Sequence, residues 1–495
     1  MIPPLKDFSK NPAQKNQYIV QNLNDTLENT FSTPSKYSDA DCGLRETVPN
    51  RKMVDSQDLG SDTESQAKTS KKDAKAIRTK QDNRKYNYAL RETAAKILPD
   101  QRVRLCGCCR VDATKNVGVR HNGIKGKNGK AKITNVISCK SIWTCIVCGS
   151  RMLAERGEEV SKGVAAWVDA GGEALMLTTT HSHTRKDEPK ATLNLISKAR
   201  TFFWGHRNVK EVLDQVGYVG HIKALETTYG SDNGWHPHNH DVLFVSQSIE
   251  DLKSHEVAVT FEDDGFIRYV TPFREKQLIK KKLDGDIQFV SLEVFLKHFW
   301  IKACAHVGLG LPSVERGLTL QGASKLKNYL TKLTDVSKLG QELTNTSAKS
   351  GKVGRRNQWQ ILNDAKEGCA HSSKLFETYA RAFKGERQLF WSSGLKELLD
   401  VAEVDDSKLL EEEEPDTTVD IAEITPDVWQ LIKRYKAQAH ILTAVENDFN
   451  NGCTDEYNSV LQRLIAHNQR RIDREQIEYE QYLSELIPDK FLDST

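Results

Sequence analysis

The stretch Gly234–Val245, GWHPHNHDVLFV, sets histidines at 236, 238 and 240 directly ahead of a β-branched and aromatic run. Side chains on a strand alternate between faces, so all three imidazoles point to one side. Upstream, YVGHIKALETT reads as a second strand, and the turn-rich YGSDNGWHP joins the two as a hairpin. In such a hairpin Glu226 becomes a cross-strand neighbour of the histidines. A histidine on its own usually packs or hydrogen-bonds and does nothing more, whereas three at a period of two offer convergent ligands. His238 and His240 supply two nitrogens from one rigid strand. Glu226 is the candidate third ligand, with His236 competing for that place. Two imidazoles and a carboxylate, with coordination positions left open, suit Mg²⁺ or Mn²⁺ holding phosphate oxygens. A structural zinc site is disfavoured at this point, because no cysteine is near.

Outward from the hairpin, strand-like runs such as EALMLTTTH alternate with helical ones, TLNLISKARTFFWG and LEVFLKHFWIKACAHVG. The region 99–403 therefore reads as one globular domain of mixed α and β structure. Residues 1–98 read as an arm. Its first seventy or so residues are polar and aperiodic, a composition that buries too little surface to order itself. From Lys71 it turns basic and helix-compatible, suited to lying on phosphates or simply to solvation. An acidic break, LLEEEEPD, opens the segment 404–495. Beyond it, VWQLIKRYKAQAHILTAVENDF and EYNSVLQRLIAHNQRRIDREQIEYEQYLSELI read as amphipathic helices for a small bundle, oligomerisation or helicase recruitment.

Lysine and arginine number 71 against 68 aspartates and glutamates, so net charge names no partner. No apolar run approaches the roughly 18 residues of a spanning helix. The start, MIPPLKDFSKNPAQK, lacks the apolar core of a secretory signal, so a cytoplasmic protein without a membrane partner is expected. Ten cysteines are present. RLCGCCRVD holds Cys106, Cys108 and Cys109, and SCKSIWTCIVCGS holds Cys139, Cys145 and Cys148. In a reducing compartment, C-x-x-C pairs favour a closed tetrahedral zinc site over disulfides or inert thiols. Cys145 and Cys148 stand opposite a second such pair, Cys106 and Cys109, with Cys108 and Cys139 as further candidates. Basic residues interleave with aromatics in TRKDEPK, REKQLIKKKL and KSGKVGRRNQWQ, and Trp204 and Trp359 are candidates to stack on unpaired bases.

Downstream, GASKLKNYLTKLTDVSK puts Tyr329 and Lys332 at i and i+3 of a helix, on a shared face. A phenol with a pKa near 10 attacks poorly at neutral pH unless a cation assists. The order ALMLTTTH, WHPHNHDVLFV, KNYLTK resembles the three motifs of rolling-circle plasmid replication initiators of the HUH endonuclease superfamily. SCKSIWTCIVCGSRMLAERGEEV and YARAFKGERQLFWSSGLKELL are also similar to segments of that family. The likeness covers about residues 100–400 and leaves out the arm and the C-terminal helices.

The resemblance implies an α+β catalytic domain with a central antiparallel sheet and helices on one face. It makes His238 and His240 the metal pair, Tyr329 the nucleophile, Lys332 its companion and Glu226 the acidic position. Asn239 stands where the family usually has an apolar residue. Lys325 stands where several members carry a glutamate that activates water, which leaves another acid such as Asp335 for that step. Family members carry similar cysteines, with one at the position of Cys139. The implied activity is metal-dependent nicking and strand transfer at a plasmid origin through a 5′-phosphotyrosine link. Implied partners are origin DNA, a host helicase and polymerase, and a second copy of the chain. The rival readings are a mobilisation relaxase, whose tyrosine precedes its histidines, a zinc-dependent DNA-binding regulator without catalysis, and a hydrolase without a covalent step.

Overall fold

The computed structural model describes residues 71–248, 251–252, 255–261, 267–281, 286–322, 355–402 and 417–486 of the 495-residue chain. In order come α1 (Lys71–Ile97), β1 (Val117–His121), β2 (Ala131–Thr134) and α2 (Ile146–Asp169). Then follow β3 (Glu173–Thr179), α3 (Pro189–Gly205), α4 (Arg207–Gln215), β4 (Tyr218–Gly230) and β5 (Gly234–Val245). The next are β6 (Glu256–Phe261), β7 (Ile267–Tyr269), α5 (Pro272–Lys280), β8 (Gln288–Ser291), α6 (Leu292–Val307) and β9 (Leu318–Gln321). After these are β10 (Arg355–Arg356), α7 (Gln358–Lys366), α8 (Ala370–Ala382), β11 (Leu389–Trp391) and α9 (Leu395–Leu398). The last are β12 (Val419–Ile424), α10 (Pro426–Arg434), α11 (Gln438–Asn451) and α12 (Asp455–Leu486). The class is α+β, and the paired strands are antiparallel. No described helix is long and apolar enough to cross a membrane.

The described chain forms two compact units, one from residues 90–99 and 140–402, the other from 71–89, 100–139 and 417–486. The first unit is built on a six-stranded sheet of order β10-β4-β5-β3-β9, with β11 also on β4. Its centre is the β4–β5 hairpin, whose register runs from Tyr218 opposite Val245 to Gly230 opposite Gly234. Gly234 takes φ +81°, and a Cβ there would come 2.9 Å from the Cα of Arg185, so only glycine fits the turn. Along β5 the alternation holds: Trp235, Pro237, Asn239 and Asp241 are buried, while His236, His238 and His240 on the other face are half-buried.

One sheet face sends Leu175, Leu177, Leu243 and Val245 against Ile196 and Phe203 of α3, Val212 of α4 and Phe295 of α6. The opposite face sends Ala174, Ile222, Val242 and Phe244 against Val160 of α2 and Leu395 of α9. Helices thus cover both faces, where the resemblance implied one. The cause is the apolar stripe of α2, Val160, Val164 and Trp167, which needs a partner surface. Gly163 within that stripe lets the helix close on Trp391, since a Cβ would stand 2.9 Å from its ring. A smaller sheet, β7-β6-β8, adds Val257, Val259 and Ile267 to the first core.

Asp241, next to His240 and facing the other way, is fully buried. It accepts two hydrogen bonds from Arg200 of α3, at 2.7 and 2.6 Å. This fork clamps the histidine strand to the helix layer behind it. Asp241→Ala would leave a buried guanidinium without its counter-charge, at a cost of about 3–5 kcal/mol. A clear drop in the urea midpoint of the full chain is expected, and an unchanged midpoint would count against the clamp.

The second unit carries the sheet β12-β1-β2 and the C-terminal helices. Val117, Val119, Ala422 and Ile424 pack on Trp429, Ile441, Val445 and Leu461. The segment 404–495 therefore contributes a strand, β12, besides the helices that its sequence pattern announces. In α1, Lys80 and Arg84 pair with the buried Glu446 of α11, at 3.1 and 2.5 Å. Two cations of the basic arm are thus structural rather than free for phosphates. The acidic run Glu411–Glu414 lies outside the described residues.

Candidate active site

The β4–β5 register sets Glu226 opposite His238 and Ala224 opposite His240. One ligand atom each from Glu226, His238 and His240 lies within 4.8 Å of the others. The Oε2 of Glu226 is 3.8 Å from Nε2 of His238 and 3.6 Å from Nε2 of His240. The Nδ1 of His238 sits 3.1 Å from the carbonyl oxygen of His236. A carbonyl only accepts, so that nitrogen carries the proton and Nε2 keeps its lone pair facing the carboxylate. Burial lowers the pKa of His238, which holds the ring neutral and fit to bind a metal. Two nitrogens and an oxygen converging on one point are a donor set for a divalent ion.

His236 shares the face but not the group. Its ring stacks on that of His183 at 4.4 Å and 15°, and lies 5.0 Å from that of His238. Of the two candidates for third ligand, it is Glu226 that stands with the pair. His181 and His183, in the loop after β3, were not singled out from sequence, although they repeat the H-x-H spacing. His181 is buried, and neither its Nε2 nor the Nδ1 of His236 has a hydrogen-bond partner. Burial first, then the neighbouring imidazoles, push the pKa of His181 down to about 4 and that of His236 to about 2. The site is thus flanked by a tier of neutral imidazoles.

Tyr329, Lys332, Lys325 and Asp335 lie outside the described residues. The described chain stops at Gly322, just past β9, and resumes at Arg355 in β10. Trp359 is only 3% exposed, so it is a core residue and not a platform for bases. Trp204 is half-buried and already stacked on His221 at 4.1 Å. Both rings are taken up by packing, which corrects their reading as base-stacking residues.

Among the cysteines, Cys106 and Cys139 are buried in one unit, and Cys145 and Cys148 are buried in the other. Gly107 donates to the carbonyl of Ile137 at 2.7 Å, and Ile137 to that of Cys109 at 2.8 Å, which brings Cys106 towards Cys139. Cys145 is the N-cap of α2 and Cys148 lies in its first turn.

No family model matches the chain, and no solved structure does. Among curated proteins, one called Protein rep, from Streptomyces lividans, is 24% identical over 379 residues, which is 64% of this chain and 77% of that protein. A second, called Neomycin resistance protein, from Streptomyces cyanogenus, is 30% identical over 146 residues, 25% of this chain. The chain spans 33% of that second relative's length. The likeness first read from the motifs and the alignment agree: the chain is similar to a plasmid Rep protein.

Proposed function

We propose that the chain initiates rolling-circle replication of a plasmid by nicking its origin, with a catalytic domain of the HUH type over about residues 99–403. Glu226, His238 and His240 are the ligands of Mg²⁺ or Mn²⁺, and Tyr329 is the nucleophile. The convergence of the three ligands across one hairpin carries this reading, and the similarity to Protein rep supports a role in plasmid replication. A divalent ion bound there would polarise a scissile phosphate and offset charge growing on its oxygens.

The phenol oxygen of Tyr329 attacks phosphorus, the P–O3′ bond breaks, and the phenolic proton is released while the 3′ oxygen leaves as a hydroxyl. The products are a 5′-phosphotyrosine and a primer end for a host polymerase. Because the adduct is a diester like its precursor, the reverse attack reseals the strand without another energy source. Lys332, three residues after Tyr329 in the sequence, would stabilise the phenolate. Reach permits this arrangement. A strand spacing of about 4.8 Å and a rise of about 3.4 Å per residue put Gly322 about 14 Å from the level of His240. The seven residues 323–329 span at most about 25 Å.

Cys145 and Cys148, with Cys139 and one or two of Cys106, Cys108 and Cys109, are read from their spacing as one structural zinc site, closed and therefore not catalytic. Protein purified without added zinc is expected to hold about one zinc per chain, and Cys145→Ser to lose it along with much of its stability. Metal analysis that finds none would remove this assignment. Origin DNA, a helicase, a polymerase and a second copy of the chain are the partners of the reading, in a bacterial cytoplasm.

A relaxase is disfavoured because Tyr329 follows the histidines, and a non-catalytic regulator would leave the ligand trio without a task. The test is incubation with supercoiled origin plasmid and Mg²⁺ or Mn²⁺, followed by mapping of the peptide left on the DNA. The peptide containing Tyr329 is expected. Nicked DNA free of protein would support the hydrolase reading instead, and DNA bound but intact would support the regulator.

A further inference from the structure

The two metal-facing histidines are held in different ways. His238 has its Nδ1 on a backbone carbonyl, a partner that no side-chain substitution removes. His240 has its Nδ1 2.9 Å from the hydroxyl oxygen of Thr178. Thr178 sits on β3, directly opposite His240 in the strand pairing. The neighbouring threonines of the TTT run do something else: Thr179 faces the other way with its hydroxyl buried and without a partner, and Thr180 donates to the carbonyl of Arg316 at 2.9 Å. One hydroxyl of the three therefore meets the site.

A neutral imidazole has one protonated and one bare nitrogen, and only the bare one can bind a metal. The Nε2 of His240 is the nitrogen that faces Glu226. A hydroxyl can donate or accept, so Thr178 is compatible with either tautomer by itself. A metal ion on Nε2 would require one of them, with the proton on Nδ1 and the hydroxyl oxygen accepting it. We infer that Thr178 is a positioning residue, whose hydroxyl fixes the tautomer and ring angle of His240 so that Nε2 is presented to a divalent ion. This rests on the metal reading of Glu226, His238 and His240. Partners of this kind typically change metal affinity about 10–100-fold when lost.

Two substitutions separate hydrogen bonding from packing. Thr178→Val keeps the shape and β-branching but removes the acceptor, while Thr178→Ser keeps the hydroxyl and removes a methyl. Mn²⁺ binding to the full-length protein without DNA is followed by the loss of the free-ion resonance signal on titration. Thr178→Val is expected to bind Mn²⁺ about tenfold or more weakly, and Thr178→Ser to stay within about threefold of the parent. In nicking assays the valine variant should need more metal for half-maximal rate yet approach the parent rate at saturation. Equal affinity in the valine variant, or a serine variant as impaired as the valine one, would overturn the assignment. His238→Ala combined with His240→Ala serves as the reference. If that pair loses Mn²⁺ binding while Thr178→Val keeps it, only the role of Thr178 fails. If the pair still binds like the parent, the metal reading fails and this inference goes with it.

Discussion

Tyr329→Phe is expected to abolish the covalent protein–DNA adduct while leaving origin binding intact. The substitution removes one oxygen and keeps the ring, so any packing by the aromatic side chain survives. What disappears is the atom that bonds to phosphorus, and no rearrangement of the remaining side chain replaces it. Loss of a nucleophile commonly costs about 10³–10⁶-fold in turnover. The readout is denaturing electrophoresis of labelled origin oligonucleotide, where the slow band of protein-linked DNA should vanish. Salt-dependent binding in a gel-shift assay should match the parent, because contacts to phosphates dominate affinity. A persisting adduct would assign the nucleophile elsewhere and remove Tyr329 from the mechanism.

The second large effect concerns the ligand trio. Replacing both His238 and His240 by Ala removes two of the three donors that meet at Glu226. A divalent ion contributes several kcal/mol of charge stabilisation to phosphoryl transfer, so nicking should fall about 10³-fold or more. Chelator should stop the parent protein to the same extent, and added Mg²⁺ or Mn²⁺ should restore it. The cysteine group gives this test an internal control. If the chelator acted by stripping a structural zinc, loss of activity would come with loss of fold, and Mg²⁺ would not restore it. Full nicking by the double variant, or in chelator, would mean that the trio has another purpose.

Local rules carried the reading of the hairpin. Alternation along β5 and the short turn from Gly230 to Gly234 need no information from distant parts of the chain, and together they bring Glu226 to His238. The cysteines were equally legible as a group, since paired thiols in a short span have few other uses. Their membership was less so. Spacing leaves open which of Cys106, Cys108 and Cys109 takes part.

Contacts made across long sequence separations stayed hidden. His183 stacks on His236 and Thr178 meets His240 only because β3 pairs with β5, and nothing near either residue announces the partner. Trp359 looks like a surface aromatic beside arginines, yet it is buried in the α7–α8 region. β12 joins β1 across about three hundred residues, so its alternating VDIAEI was easily absorbed into a helical segment.

By itself, the sequence determined the strand that presents the imidazoles and the acidic residue opposite them, because period and turn chemistry act within a dozen or so residues. Tertiary structure alone decided which hydroxyl holds His240, which ring His236 stacks on and which face each helix covers. Those outcomes depend on strand order and on the burial of whole apolar surfaces, and such terms are summed over the folded unit rather than written in any one stretch.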